Sequence, residues 1–242
     1  MNPVHIKLKE GGRIAERVIV AGDPARVKQI SELLEDAKLV NDNRGLLAYT
    51  GKYRGVDVSI VTHGMGVPSV LIVLEELVML GAKAVVRVGS CGAMYEGARI
   101  GDIIIATGCS YYPGGAYYQY QREIVCGPSS PDFELTLNLY EVSKQLDVSP
   151  KLGPVLSSDA FYAEDPDFAK KWMGRGVIAV EMECAALFNV ALMRDIKAAA
   201  ILMVSDSLLE DIGFAGAEEL REHADKAARI ALEALTRTEV SS

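Results

Sequence analysis

The sequence holds little of what metal, redox or covalent chemistry leans on: three histidines, four cysteines and one tryptophan in 242 residues. His5, His63 and His223 are scattered. Cys91, Cys109, Cys126 and Cys184 form no CxxC pair and have no histidine nearby, so the ligand spacings of zinc are missing. There is no HExxH, no GxSxG elbow and no Walker A loop, and HGMGVPS is not a full GxGxxG with its ribose-binding acid. No metal or organic cofactor is expected. Positive charge is also short. Lysine and arginine total 25 against 33 acids, the net charge is −8 and the pI is near 5.0. That balance argues against a nucleic-acid duplex or an anionic membrane as partner, while allowing a small anion gripped by a few focused arginines. No apolar run, Ala198–Val204 included, approaches the ~20 residues of a membrane span. The opening MNPVHIKLKEGGR lacks the apolar core of a secretory signal. A soluble, cytoplasmic protein is expected, with its cysteines as thiols. Asn and Gln number only nine, a scarcity shared with thermophilic proteins, in which cytosolic disulfides occur, so cysteine pairing stays open.

What is present is a core. Half the residues are hydrophobic and 24% are charged, which excludes disorder and supports a sizeable interior. No repeat, low-complexity stretch or linker divides the chain, so residues 1–242 read as one domain. Short β-branched runs alternate with helical patterns. Strands are expected at Arg17–Ala21, Val56–Thr62, Ala84–Val88, Asp102–Thr107, Val177–Val180 and Ala198–Val204. Helices are expected near Ala25–Leu34, Pro68–Leu80, Asp132–Leu146, Met182–Arg194 and Ala217–Leu235. Repeated strand–turn–helix units imply an α/β fold, a single domain with a mixed, mostly parallel central sheet flanked by helices. The segment Leu47–Tyr53 adds an antiparallel strand.

Ligands of open α/β sheets sit beyond the carboxyl ends of the strands, and those ends are chemically unusual here. RVIVA runs into Gly22-Asp23-Pro24-Ala25-Arg26. AVV runs into Arg87, Gly89 and Ser90. VIAV runs into Glu181-Met182-Glu183, and AAAILMV into Ser205-Asp206. Arg87 lies inside an apolar run and needs an anion, either a bound phosphate or carboxylate or a partner such as Glu183. Gly22 and Gly89 serve either an ordinary tight turn or a close backbone approach to an anion. Glu181 and Glu183 are either acids favoured at a helix start or acceptors for the two hydroxyls of a sugar. Asp206 is either a capping residue or a general acid.

The motifs VHI, GDPARV, NRGLLAYTGKY, THGMGVPS, RVGSCGA, SSDAFYAED, AVEMECAALF and VSD occur in that order from His5 to the final helix. Together they resemble the hexameric nucleoside phosphorylases, the family of purine nucleoside, uridine and 5′-methylthioadenosine phosphorylases. The resemblance implies phosphorolysis of purine nucleosides to free base and (deoxy)ribose 1-phosphate, with phosphate as co-substrate. Phosphate would be held by Gly22, Arg26, Arg87, Gly89 and Ser90, with Arg44 supplied by a neighbouring subunit. His5 would likewise reach across to the 5′ end of the sugar. Glu183 would bind the ribose hydroxyls, with Met182 and Met65 beside the ring. Phe161 would stack on the base near Val180 and Glu181, and Ser205 and Asp206 would face its edge, Asp206 giving a proton to purine N7. Arg221 is the candidate for an arginine assisting Asp206, set a residue or two further on than the family pattern. The family implies a homohexamer built as a trimer of dimers. Uridine phosphorylases carry a Gln and an Arg after the FY pair, where this chain has Asp165 and Asp167, a departure that favours a purine. Uridine cleavage, hydrolytic nucleosidase action, a non-catalytic purine-binding module and a dinucleotide-dependent oxidoreductase are the competing readings.

Overall fold

The computed structural model describes residues 2–163 and 165–240. In chain order the elements are β1 (Arg17–Ala21), α1 (Pro24–Ser31), β2 (Glu35–Asn41), β3 (Ala48–Tyr53), β4 (Val56–Thr62), α2 (Val67–Met79), β5 (Ala84–Ala93) and β6 (Ile103–Tyr111). There follow α3 (Gly115–Gln121), α4 (Phe133–Gln145), β7 (Lys151–Ser157), α5 (Phe168–Met173), β8 (Ala179–Glu181), α6 (Cys184–Met193), β9 (Lys197–Ser207) and α7 (Arg221–Arg237). The expected α/β architecture with a mixed sheet is what the chain adopts.

Among the described residues the nine strands belong to one sheet, ordered β2-β3-β4-β1-β5-β8-β7-β6-β9, and β9 also pairs with β5. The five strands β5, β8, β7, β6 and β9 therefore close into a ring, and β1, β4, β3 and β2 extend from it as a wing. β1 is parallel to β4 and β5, and β5 is parallel to β9. β3 is antiparallel to both β2 and β4, as the sequence suggests for Leu47–Tyr53.

Helices cover both faces. One apolar cluster joins the sheet to α2 and α6 through Leu71, Leu74, Leu187 and Phe188. The other joins it to α1, α4 and α7 through Ile30, Leu139, Ile230 and Leu235. On α7 the buried face includes Ala224, Ala227, Ala228, Ala231 and Ala234. Small side chains at this helical spacing let the backbone approach the sheet closely. Local rules set the helix starts nearest the rim. Asp23 accepts a hydrogen bond from the Ala25 amide at 2.8 Å and Pro24 takes the first turn of α1, a pairing that fixes where GDP ends its strand. Gly66, just before α2, has a φ of +81°, in the left-handed region.

The elements missed in the sequence are those with weak signals. β2 reads EDAKLVN, too charged to look like a strand. β7 reads KLGPVLS, and its Gly153-Pro154 faces a break in register on β6. Such irregularities are where a strand tolerates proline. α3 and α5 are short. The final helix starts at Arg221, so residues 217–220 form a turn ahead of it.

Candidate active site at the sheet rim

Arg87 organises the rim. It sits in mid-strand, opposite Val20 of β1 and Ala200 of β9, and it is 4% exposed. Its Nη2 donates to Glu183 Oε2 and lies 3.4 Å from Glu181 Oε2. Burial works against the charged guanidinium, yet the two carboxylates raise its pKa and keep it charged. Arg87 Nε and Nη1 remain without hydrogen-bond partners. Of the two anions weighed for Arg87, the structural carboxylate is present and takes one nitrogen, leaving Nε and Nη1 open.

Two sequence expectations are corrected here. Gly89 and Ser90 do not form a turn at a helix start, because β5 runs on to Ala93. Gly89 instead makes room: a Cβ there would lie 1.8 Å from Arg87 Nη1. Nor do four parallel strand ends meet. β8 runs antiparallel to β5, pairing Gly92 with Val180, so Glu181 and Glu183 enter from the far side and travel back toward Arg87. The rim is a meeting of opposed strands, which is how a carboxylate after β8 reaches a guanidinium six residues from the end of β5.

The two glutamates divide the roles left open for them. Glu181 serves the helix start: its Oε2 accepts from the amides of Glu183 and Cys184 at 2.8 and 2.9 Å, and its Oε1 from Ser157 Oγ. Glu183 faces the rim. Its Oε1 accepts from the Gly66 amide at 2.7 Å; burial pushes its carboxyl up, yet Arg87 and the Gly66 amide help bring it below the usual range.

On the β1 side, Gly22 stands against β4. A Cβ on it would come within 2.8 Å of Gly64 O and 3.6 Å of His63 Cε1. Arg26, on the first turn of α1, is half-buried; burial and the neighbouring Arg87 charge lower its pKa. A second cation held close enough to Arg87 to feel its charge is a feature of an anion site. His63, missed in the sequence as a lone histidine, is fully buried with neither ring nitrogen hydrogen-bonded. Burial, with help from Arg87, holds it neutral down to about 3. Its only sequence signal is the THGMG run after β4.

Asp206 lies within β9, next to its last residue, rather than capping a helix. It pairs across to Gly92, three residues beyond Gly89, which at strand spacing is about 10 Å further along β5. Ser205 Oγ lies 2.7 Å from Asp206 Oδ1 and 3.2 Å from Cys91 O. A Cβ on Gly92 would meet Leu208 Cδ1 at 2.4 Å, Asp206 Oδ2 at 3.1 Å and Val180 Cγ1 at 3.4 Å. Gly92 is thus a second residue the sequence reading passed over, needed so that these side chains share one spot. Phe161 is exposed and stacks edge-on with Tyr162. Its segment leaves β7 beside the site, since the Ser158 amide donates to Glu181 O and Asp159 is raised by burial and by Glu183. Met65 is 83% exposed at the loop before α2, and Met182 is half-buried.

Three predicted residues lie apart. His5 Nδ1 is 2.7 Å from Glu76 Oε1 on α2. Asn43 Nδ2 donates to His5 O, so the exposed Arg44 is its near neighbour. Arg44 holds φ +57°, in the left-handed region that few non-glycine residues adopt. Glu76 is ten residues along α2 from Gly66, about 15 Å of helix, so His5 stands well away from this chain's own Glu183. Arg221 makes no bond to Asp206. Its guanidinium is 4.0 Å from Glu218, and its carbonyl accepts from Gln29 on α1. All four cysteines are free thiols. Burial pushes Cys91, Cys109 and Cys184 up, as expected of unreactive sulfur. Among the described residues no cluster of three His, Cys, Asp or Glu side chains could hold a metal, and no helix is long and apolar enough to cross a membrane.

An α/β sheet whose rim carries the buried Arg87 with its carboxylate partner Glu183, the half-buried Arg26 beside it and an acid, Asp206, further along defines a small-molecule enzyme site. Residues 16–238 match the family model described as the phosphorylase superfamily, and the chain belongs to that superfamily. It is 39% identical over 232 residues to the purine nucleoside phosphorylase DeoD-type of Caldanaerobacter subterraneus subsp. tengcongensis, covering 95% of this chain and 98% of the relative. It is 40% identical over 211 residues to the protein of the same name from Geobacillus kaustophilus, covering 85% and 86%. Among solved structures, uridine phosphorylase from Vibrio fischeri superposes with a TM-score of 0.87 at 31% identity, covering 98% of both chains.

Proposed function

We propose that the protein is a pentosyltransferase that cleaves purine nucleosides with orthophosphate, giving the free base and (deoxy)ribose 1-phosphate. The carrying observation is the spacing on β5: the Arg87 guanidinium packs over Gly89, and Asp206 faces Gly92 about 10 Å away. That is a length a ribose and part of a purine fill. Glu183 lies between, bonded to Arg87, with lone pairs left to accept from the ribose hydroxyls.

The chemistry follows from those positions. Breaking C1′–N9 sends the bonding electrons to the base and leaves an oxocarbenium-like sugar. Asp206 gives a proton to N7, so the base departs neutral, a contribution of about 10²–10⁴-fold for a placed acid. Phosphate, held by Arg26, Arg87, Ser90 and the Gly22 backbone, stabilises the cationic sugar and then forms the new C1′–O bond. Met182 and Met65 flank the sugar, and Phe161, Val180, Glu181 and Ser205 frame the base. No metal or organic cofactor takes part. Arg44 and His5 act on a neighbour's site in a homohexamer, a trimer of dimers, and the setting is the cytoplasm, which suits four thiols. The base is a purine rather than uracil: Asp165, in the loop after Phe161, is ion-paired to Lys171 on α5 at 2.9 Å and offers no amide or guanidinium to a pyrimidine. The same machinery would accept 5′-methylthioadenosine if the 5′ pocket does.

The test is base release from inosine, adenosine, guanosine, methylthioadenosine and uridine, each with and without phosphate. Purine release that requires phosphate is expected. Equal rates without phosphate would reject phosphorolysis, and faster cleavage of uridine would reject the purine assignment.

A further inference from the structure

The loop between β9 and α7 doubles back on the acid it follows. The Ala215 amide donates to Ser205 O at 2.8 Å, so the chain that leaves the rim after Asp206 returns beside it. Earlier in the loop the Leu208 amide donates to Ala93 O at 3.0 Å, and Glu210 Oε1 accepts from the Gly97 amide at 2.9 Å. Gly213, with φ +76°, makes the last turn, and Ala215 is buried against the rim. Between them the Phe214 ring is 66% exposed. A lone exposed aromatic is ordinary. What sets this one apart is where its loop is anchored.

β8 and β9 flank the end of β5, with Val180 on one side of Gly92 and Asp206 on the other. Glu181, next after Val180, accepts at its carbonyl from the Ser158 amide, and Ser158 leads into the exposed Phe161. Ser205, just before Asp206, accepts from Ala215, the neighbour of Phe214. Two exposed rings therefore belong to loops tied to the strands on either side of β5. Those strands are two sheet spacings apart, about 10 Å. Stacked rings sit with centroids about 4.5–7 Å apart, so a flat base between two rings needs about 9 Å or slightly more. The anchors leave that width above Gly92, where the absent side chain opens a space edged by Val180, Leu208 and Asp206.

We infer that Phe214 is a further base-binding residue, a second aromatic wall that stacks on the base from the side opposite Phe161. This rests on the proposed reaction, which sets the base against Asp206.

The test measures affinity for hypoxanthine and adenine without phosphate, and the KM for inosine and for phosphate, in the wild type, Phe214→Ala and Phe214→Tyr. Phe214→Ala should weaken both bases and raise the inosine KM by about five- to hundredfold, the worth of one stacked base, with the phosphate KM in place. Phe214→Tyr should keep the wild-type values. A folded Phe214→Ala enzyme with wild-type base affinity overturns the inference. So does a loss that falls equally on phosphate, or one that comes with a lower mass in light scattering, because a structural side chain or a subunit contact would move everything together. If Phe214→Ala does not fold, Phe214→Trp in a Trp172→Phe background decides, since Trp172 is the one tryptophan of the chain. Emission that responds to hypoxanthine or adenine, and not to phosphate alone, upholds the inference. Emission unmoved by a base that the protein binds overturns it. Wild-type protein that binds these bases yet releases none from inosine in phosphate would instead count against the proposed reaction.

Discussion

Arg87 keeps a full charge where water hardly reaches because Glu183 and Glu181 face it. Replacing it with Met leaves two buried carboxylates unpaired, so Arg87→Met should lose about 3–5 kcal/mol of stability in urea unfolding as well as phosphate affinity. Asp206→Asn should behave oppositely, with the unfolding midpoint nearly unchanged and purine-nucleoside turnover lower by about 10²–10⁴-fold. His63 supplies a pH signature. In the unfolded chain it takes up a proton below about 6.5, while in the fold it resists until about 3. Between those values the unfolded state binds more protons, so the native state loses about 1.4 kcal/mol per pH unit as the pH falls. The stability drop from pH 7 to pH 5, at fixed protein concentration, should therefore be smaller in His63→Gln than in the wild type. Arg87 was legible in the sequence because a charge inside AVVRV demands an anion. His63 was not, since a lone histidine after a strand looks the same whether it is buried or exposed. The double duty of Arg87 was illegible too, because pairing with Glu183 and gripping a ligand draw on the same residue types.

At the level of strands and helices, periodicity found most of the structure, and the local caps placed the start of α1. Direction was the part it could not supply. β8 is three residues long, and nothing in VIAV says that it runs against β5. The rim expected from parallel strand ends became a meeting of opposed ones. The role of Gly89 was hidden for a related reason: a glycine between Val88 and Ser90 suggests a turn unless the strand is known to continue. Its neighbour's side chain folds back over it, and that gives a clean test. Gly89→Ala keeps every charge but puts a methyl 1.8 Å from Arg87 Nη1, so the guanidinium must move. The phosphate KM should rise by at least tenfold, with a smaller change for nucleoside, in initial-rate kinetics varying each substrate in turn. Gly92, which leaves space for Val180, Leu208 and Asp206, was hidden in the same way.

For the whole molecule, the proposed assembly has His5 and Arg44, which stand apart from their own chain's Glu183, finishing the site of another copy. Asp206→Ala and Arg44→Ala proteins, each weakly active alone, should regain activity when unfolded and reassembled together. A random one-to-one mixture can restore up to about a quarter of the sites, those pairing an intact acid with an intact neighbouring arginine. No recovery in hybrids verified as mixed would show that each chain works alone. The closed ring of five strands bears on a different risk. Among the described residues it leaves β2 as the outer strand of the wing, and there Glu35, Asp36 and Lys38 are exposed, the register to β3 slips twice, and Asp36 takes φ +52°. A stray extended peptide seeking a template for fibril growth would find its docking line charged and bent at that margin.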